Sequence, residues 1–190
     1  DGFHPVNVGK LMLADPTGAA AAYEMALELD PSSTYLQDAC IELWESLGEG
    51  QKLLTVLPRR ISAIEADDDG EYAKTLRRDL SRLNAKLQLS ENEDPTAAAA
   101  ILEGLVEAGG DDAETLEELA NCYFALQKYE DVERVTLKRI EKLGTADARP
   151  ARLALAALRA DMLGKPRDAF DGYRDLLNDG AFDAAVADKL

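Results

Sequence analysis

The side chains whose types and spacing come closest to chemistry are Glu65, Asp67 and Asp69, alternate carboxylates followed at once by Gly70. Counted from Glu65, they fill positions 1, 3 and 5 of a calcium loop, with the glycine at position 6. Position 12 must then be a bidentate glutamate, and it is Leu76. The run reads instead as a solvated turn whose charge favours the N-terminus of the next helix. Gly109-Gly110-Asp111-Asp112 reads the same way, and neither is a metal site. Gly48-Glu49-Gly50-Gln51-Lys52 sets a lysine behind two glycines. It lacks the spacing of a phosphate loop, no strand precedes it, and an acid stands between the glycines, so it reads as a helix–helix turn. A serine or cysteine nucleophile needs a base within reach, and the single histidine, His4, lies near a chain end. Cys40 and Cys122 are expected as buried free thiols on helices too far apart to be bridged. No catalytic residue, metal or cofactor is expected.

The elements that would carry a site follow from composition. A chain of 190 residues, 46% hydrophobic and 31% charged, can pack a core and fits one domain or two small ones. Its 21 basic against 37 acidic residues leave a net charge of −16. That argues against a phosphate-driven nucleic-acid partner and against docking on anionic lipid. No apolar run approaches the ~20 residues of a membrane-spanning helix. The chain opens at Asp1 without a leader and stops at Leu190 inside a helical pattern, so it reads as a piece of a longer repeat protein. The expected compartment is the cytoplasm, or the periplasm if the parent chain carries a leader.

Strand patterns are scarce, while helix punctuation is dense. Asp15-Pro16 and Asp94-Pro95 pair a capping carboxylate with a proline at the first helical position, and Arg149-Pro150 and Lys165-Pro166 open helices similarly. Gly48, Gly70, Gly144, Gly164 and Gly180 fall where helical patterns end and are expected as C-terminal caps. The spacing predicts eleven short helices, starting near residues 6, 16, 34, 50, 70, 95, 112, 129, 150, 166 and 181. Pro58 lies inside the fourth and should kink it. Sliding the sequence by 79 superposes residues 15–61 on 94–140 with 12 identities in 47 positions, among them Asp15-Pro16-Thr17 on Asp94-Pro95-Thr96 and Arg60-Ile61 on Arg139-Ile140. Matching caps and a matching Arg-Ile are not products of alanine richness, so the helical unit is repeated.

Three stretches carry a resemblance. Ala19-x3-Tyr23-x2-Ala26-x4-Pro31 looks like the second helix and exit turn of a tetratricopeptide (TPR) repeat. Leu116-x2-Leu119-Ala120-x2-Tyr123 is similar to a first helix, and Ala169-x3-Tyr173 matches a second helix again. The unit holding Gln37, Cys40, Ile41 and Trp44 departs from the pattern, with bulky Ile41 at a small-residue position. The third unit departs further: its first helix, near 72–89, is about two turns too long. The resemblance implies an all-α, right-handed α-solenoid of antiparallel helix pairs, about five repeats, as a single domain over residues 1–190. Such pairs hide their apolar flanks only on their neighbours. Small Ala19, Ala120, Ala157 and Ala169 let axes approach while Tyr23, Tyr123 and Tyr173 fill gaps, and Leu76, Leu80, Leu83 and Leu87 form one core stripe.

By the same resemblance, first-helix residues line a concave groove for a partner peptide. These are Tyr35, Asp38, Glu42 and Glu45; Glu114, Glu117, Asn121 and Phe124; then Leu155, Leu158 and Asp161. Acids at Glu42 and Glu117 disfavour a terminal carboxylate as ligand and suit a basic or mixed protein partner. The long helix adds Lys74, Arg77, Arg78, Arg82 and Lys86, either a stripe for an acidic peptide or partners for acids on adjacent helices. The resulting expectation is a non-catalytic interaction scaffold. The alternatives are the helical accessory region of a larger enzyme and part of an envelope-secretion scaffold.

Overall fold

Three of the described helices begin at a side chain that satisfies backbone N–H groups which a first turn leaves open. In the computed structural model, which describes the backbone of residues 16–67 and 70–179, Asp94 Oδ1 accepts from the N–H groups of Thr96 and Ala97 at 3.0 Å each. Asp112 accepts likewise from Glu114 at 3.1 Å and Thr115 at 3.0 Å, and Ser33 Oγ from Leu36 at 3.4 Å. Among the described residues the helices are α1 (Pro16–Leu29), α2 (Thr34–Leu47), α3 (Gly50–Asp67), α4 (Glu71–Glu91), α5 (Pro95–Glu107), α6 (Ala113–Ala125), α7 (Tyr129–Lys142), α8 (Arg149–Asp161) and α9 (Pro166–Asn178). There is no strand among them. The helices expected near residues 6 and 181 lie outside the described residues, as do His4, Asp15, Gly180 and the side chains of Glu65, Asp67 and Asp69. The chain divides into two compact units, Asp1–Glu93 and Asp94–Leu190.

The 79-residue repeat is present in the fold. Starts of α1 and α5 (Pro16, Pro95), α2 and α6 (Thr34, Ala113) and α3 and α7 (Gly50, Tyr129) are each 79 apart, and those of α4 and α8 (Glu71, Arg149) are 78 apart. At 21 residues against 13, α4 is the over-long member. The glycine assignments divide. Gly48 and Gly164 are left-handed, at φ 70° and 62°, and end α2 and α8 as expected. Gly70 instead precedes α4 as its N-cap with extended backbone (φ −66°, ψ 160°), and Gly144 is not left-handed because Leu143 ends α7 in an extended conformation. α3 runs through Pro58 without a break.

Within each unit helices pack on their chain neighbours: α1 on α2, α2 on α3 and α3 on α4, then α5 on α6 and onward to α9. The first unit buries Cys40, Leu43 and Trp44 of α2 against Leu53, Val56 and Leu57 of α3, with Ala19 of α1 and Ala73 and Leu80 of α4. Leu76, Leu83 and Leu87 lean on this core half-buried, as a helical stripe should. In the second unit Leu116, Leu119 and Tyr123 of α6 are buried, as are Val132 and Val135 of α7 and Leu155 and Leu158 of α8. Ala156, Ala169, Tyr173 and Leu176 join α8 to α9. Each fully buried leucine contributes about 2–3 kcal/mol relative to an exposed one. Ala157 and Tyr23 are only half-buried, whereas Ala19, Ala120, Ala169, Tyr123 and Tyr173 are buried.

Candidate functional site

Both thiols are free and buried, and burial above all pushes each up to about 11. They stay protonated at neutral pH and serve as small apolar groups. Among the described residues no group of His, Cys, Asp or Glu could hold a metal ion. None of the described helices is long and apolar enough to cross a membrane.

What the second unit does offer is an open cleft of about 400 Å³ between α6, α7 and α8. Each wall is one helix face. Glu117, Ala120, Asn121 and Phe124 come from α6, Val132, Thr136 and Arg139 from α7, and Ala154, Leu158 and Asp161 are among those from α8. These spacings of three, four and seven residues are what puts side chains on one face. The floor is apolar, and exposed Ala154 and half-buried Ala157 leave it room. Leu155 and Leu158, placed in the groove by the sequence, are its buried base, at 5% and 7% exposure.

The rim is charged. Arg139 Nη2 pairs with Glu117 Oε2 at 2.7 Å on one side, and Asp161 stands on α8. Phe124 is held half-exposed by Tyr129, edge to face, with ring centroids 5.7 Å apart. The preceding residue, Tyr123, is anchored: its hydroxyl donates to Glu103 at 2.6 Å, and Lys128 and Arg134 lie over its ring. Burial, followed by that hydrogen bond, pushes the Tyr123 phenol up to about 12. Burial also raises Tyr173, with the charge of Asp161 adding to it.

The first unit places Tyr35, Asp38, Glu42 and Glu45 on one face of α2. Tyr35 is exposed and Glu42 and Glu45 reach solvent, but Asp38 is held by Arg60 of α3 through Nε at 2.6 Å and Nη2 at 3.2 Å. On α4, Arg78 Nε pairs with Asp79 at 3.1 Å and Arg82 is half-buried. Thus Glu117, Asn121 and Phe124 of the predicted set meet in one cleft, together with Leu155, Leu158 and Asp161; Tyr35, Asp38, Glu42, Arg78 and Arg82 belong to the other unit.

Sequence reasoning missed two cations. Arg139 lines the cleft, and its signal was the repeated Arg-Ile, taken only as a mark of the repeat. Arg159 joins Lys165 on Glu133, a carboxylate only 12% exposed, tying α7 to α8 and to the residue that precedes α9.

No protein-family model matches the chain, and no curated protein does. Solved structures do. The chain is similar to MamA at 15% identity and TM-score 0.63, covering 93% of this chain and 95% of that one. It is similar to YrrB, a TPR protein with an unusual peptide-binding site, at 17% identity and TM-score 0.62, covering 96% and 89%. It also resembles BtubC from P. vanneervenii at 14% identity and TM-score 0.55, covering 97% and 80%. The fold is all-α and TPR-like, an α-solenoid of helix pairs.

Proposed function

We propose that residues 1–190 act as a single non-catalytic scaffold whose α6–α7–α8 cleft receives a peptide segment of a partner protein. The observation that carries this reading is the cleft itself: an apolar floor broad enough for aliphatic side chains, ringed by Glu117, Asn121 and Asp161, with Phe124 on its wall. Exposed aromatic and apolar groups grouped in a concavity mark recognition surfaces more often than scattered ones do. The partner segment is basic, with an aliphatic residue for the floor. Two rim acids, Glu117 and Asp161, against one rim cation, Arg139, together with the net charge of −16, favour it in both docking and approach. The peptide-binding site of YrrB is a likeness that supports the same class of work.

The test uses fluorescein-labelled short peptides, acetylated and amidated, each with a central leucine flanked by lysines, serines or glutamates. Anisotropy should show the lysine set binding tightest, and binding should weaken as salt screens the rim. Phe124→Ala and Ala154→Phe should each weaken it about tenfold or more. Equal binding of all three sets, or variants indistinguishable from the natural protein, would end the proposal.

A further inference from the structure

The two units carry the same ion pair at positions 79 apart, and the two copies are not made alike. In the first unit Asp38 takes Arg60 side-on, one oxygen on Nε at 2.6 Å and the other on Nη2 at 3.2 Å. In the second, Glu117 takes Arg139 through Nη2 at 2.7 Å, and Arg139 Nε is left buried without an acceptor. One methylene separates the acids. A planar guanidinium offers a fork that a carboxylate can fill from the side. At Arg60 both prongs used are filled; at Arg139 one is vacant. A buried donor with no acceptor is costly, so whatever supplies one gains more than an ordinary surface contact would.

Glu117 and Arg139 both line the cleft, so the pair lies within reach of a bound segment. Glu117 is the more exposed partner of the pair: its side chain is 49% exposed, whereas that of Arg139 is 22% exposed. A lysine or arginine of an incoming segment competes for Glu117. As that carboxylate turns to it, Nε opens to the cleft and to an acceptor of the ligand. A carboxylate is a poor candidate for that acceptor, because Glu117 and Asp161 already outnumber Arg139 at the rim. A main-chain carbonyl has the needed lone pair without the charge.

We infer that Arg139 is a specificity-determining residue of the cleft: its Nε takes a main-chain carbonyl of the bound peptide while Glu117 turns to a neighbouring basic side chain. The inference rests on the docking reading above. It makes the two copies of the repeat unequal, since the bidentate Asp38–Arg60 pair has no such donor to offer.

The experiment uses the full chain and the lysine-flanked peptides, together with ester analogues that replace one backbone amide at a time and so weaken one carbonyl acceptor. Glu117→Asp gives the second unit the acid of the first and should let it fill Nε itself. Binding is expected to fall about tenfold, equal to about 1.4 kcal/mol, with urea unfolding no weaker than that of the natural protein. Arg139→Lys, which keeps the charge and removes Nε, should fall equally. One ester position should cost the natural protein severalfold and cost Arg139→Lys nothing further. Amidated and free-acid peptides should bind alike. If Glu117→Asp and Arg139→Lys bind as the natural protein does while Ala154→Phe does not, the role of Arg139 is overturned and the cleft stands. If Ala154→Phe also binds normally, the docking reading falls and takes this one with it.

Discussion

Gln127 is a side chain in a glycine's place, and replacing it should stabilise the protein. It sits at φ 58°, the left-handed region, 79 residues after Gly48 at φ 70°. The two close the same turn: the N–H of Gly48 donates to Glu45 O and that of Glu49 to Trp44 O, while Gln127 donates to Phe124 O and Lys128 to Tyr123 O. A non-glycine residue in this region costs about 1–2 kcal/mol through its Cβ. Glycine returns roughly 0.4–1 kcal/mol of that as extra freedom in the unfolded chain. Gln127→Gly should therefore stabilise by about 0.5–1 kcal/mol. The mirror change isolates the cause, because a Cβ built at Gly48 meets no heavy atom within 4 Å. Gly48→Ala should cost about the same amount through backbone strain alone. Urea unfolding followed by helical circular dichroism and by Trp44, the chain's one tryptophan, reads both. Midpoints should move in opposite directions with slopes unchanged. A midpoint lowered by Gln127→Gly, as glycine in an ordinary helix interior would lower it by roughly 0.5–1 kcal/mol, would refute the reasoning.

Glu133→Gln breaks the carboxylate's hold on Arg159 and Lys165 and should cost about 1–2 kcal/mol, discounted because the lysine is 40% exposed. Burial alone would raise the Glu133 carboxyl, but Lys165 and Arg159 outweigh it and hold it below its usual 4.5. A depressed carboxyl stabilises above its unfolded value and loses that as pH falls through the folded one. The gap between the natural protein and the variant in urea should therefore be full at pH 7 and shrink below 4.5. Tyr123→Phe removes the bond to Glu103 and should cost about 1 kcal/mol. Because the Tyr123 phenol is raised from 10.0 to about 12, its contribution is complete below 10 and declines toward 12, which ultraviolet titration of folded against urea-unfolded protein would show. Gly172→Ala sets a gain of about 0.5–1 kcal/mol from removing a glycine inside α9 against a Cβ 3.3 Å from that of Ala156, where α9 meets α8; a thermal melt raised by it would show that α9 gives way, a lowered one that the contact is rigid.

Helix starts were legible because their signals are local: Asp94 before Pro95 and Asp112 before Glu114 cap without help from the rest of the fold. Helix ends were less so. Gly70 and Gly144 looked like terminators, but a glycine ends a helix only if its neighbours leave a turn to close, and at Gly70 the chain was already entering α4. The left-handed cap at Gln127 carried no signal of its own and is visible only through its twin at Gly48. The site divides along the same line. Positions on one helix face are carried over as a set by the family resemblance, so Glu117, Asn121 and Phe124 could be named together from the sequence. Arg139 could not, because its part depends on how far a carboxylate on another helix reaches. Asp38 and Glu117 are interchangeable in any count of charge, yet one leaves a guanidinium prong empty and the other does not. Duplicated helices kept the scaffold while the ion pair at one set of equivalent positions came to differ in geometry. A repeat protein of this kind is therefore best searched for function at pairs of equivalent positions whose chemistry matches and whose geometry differs.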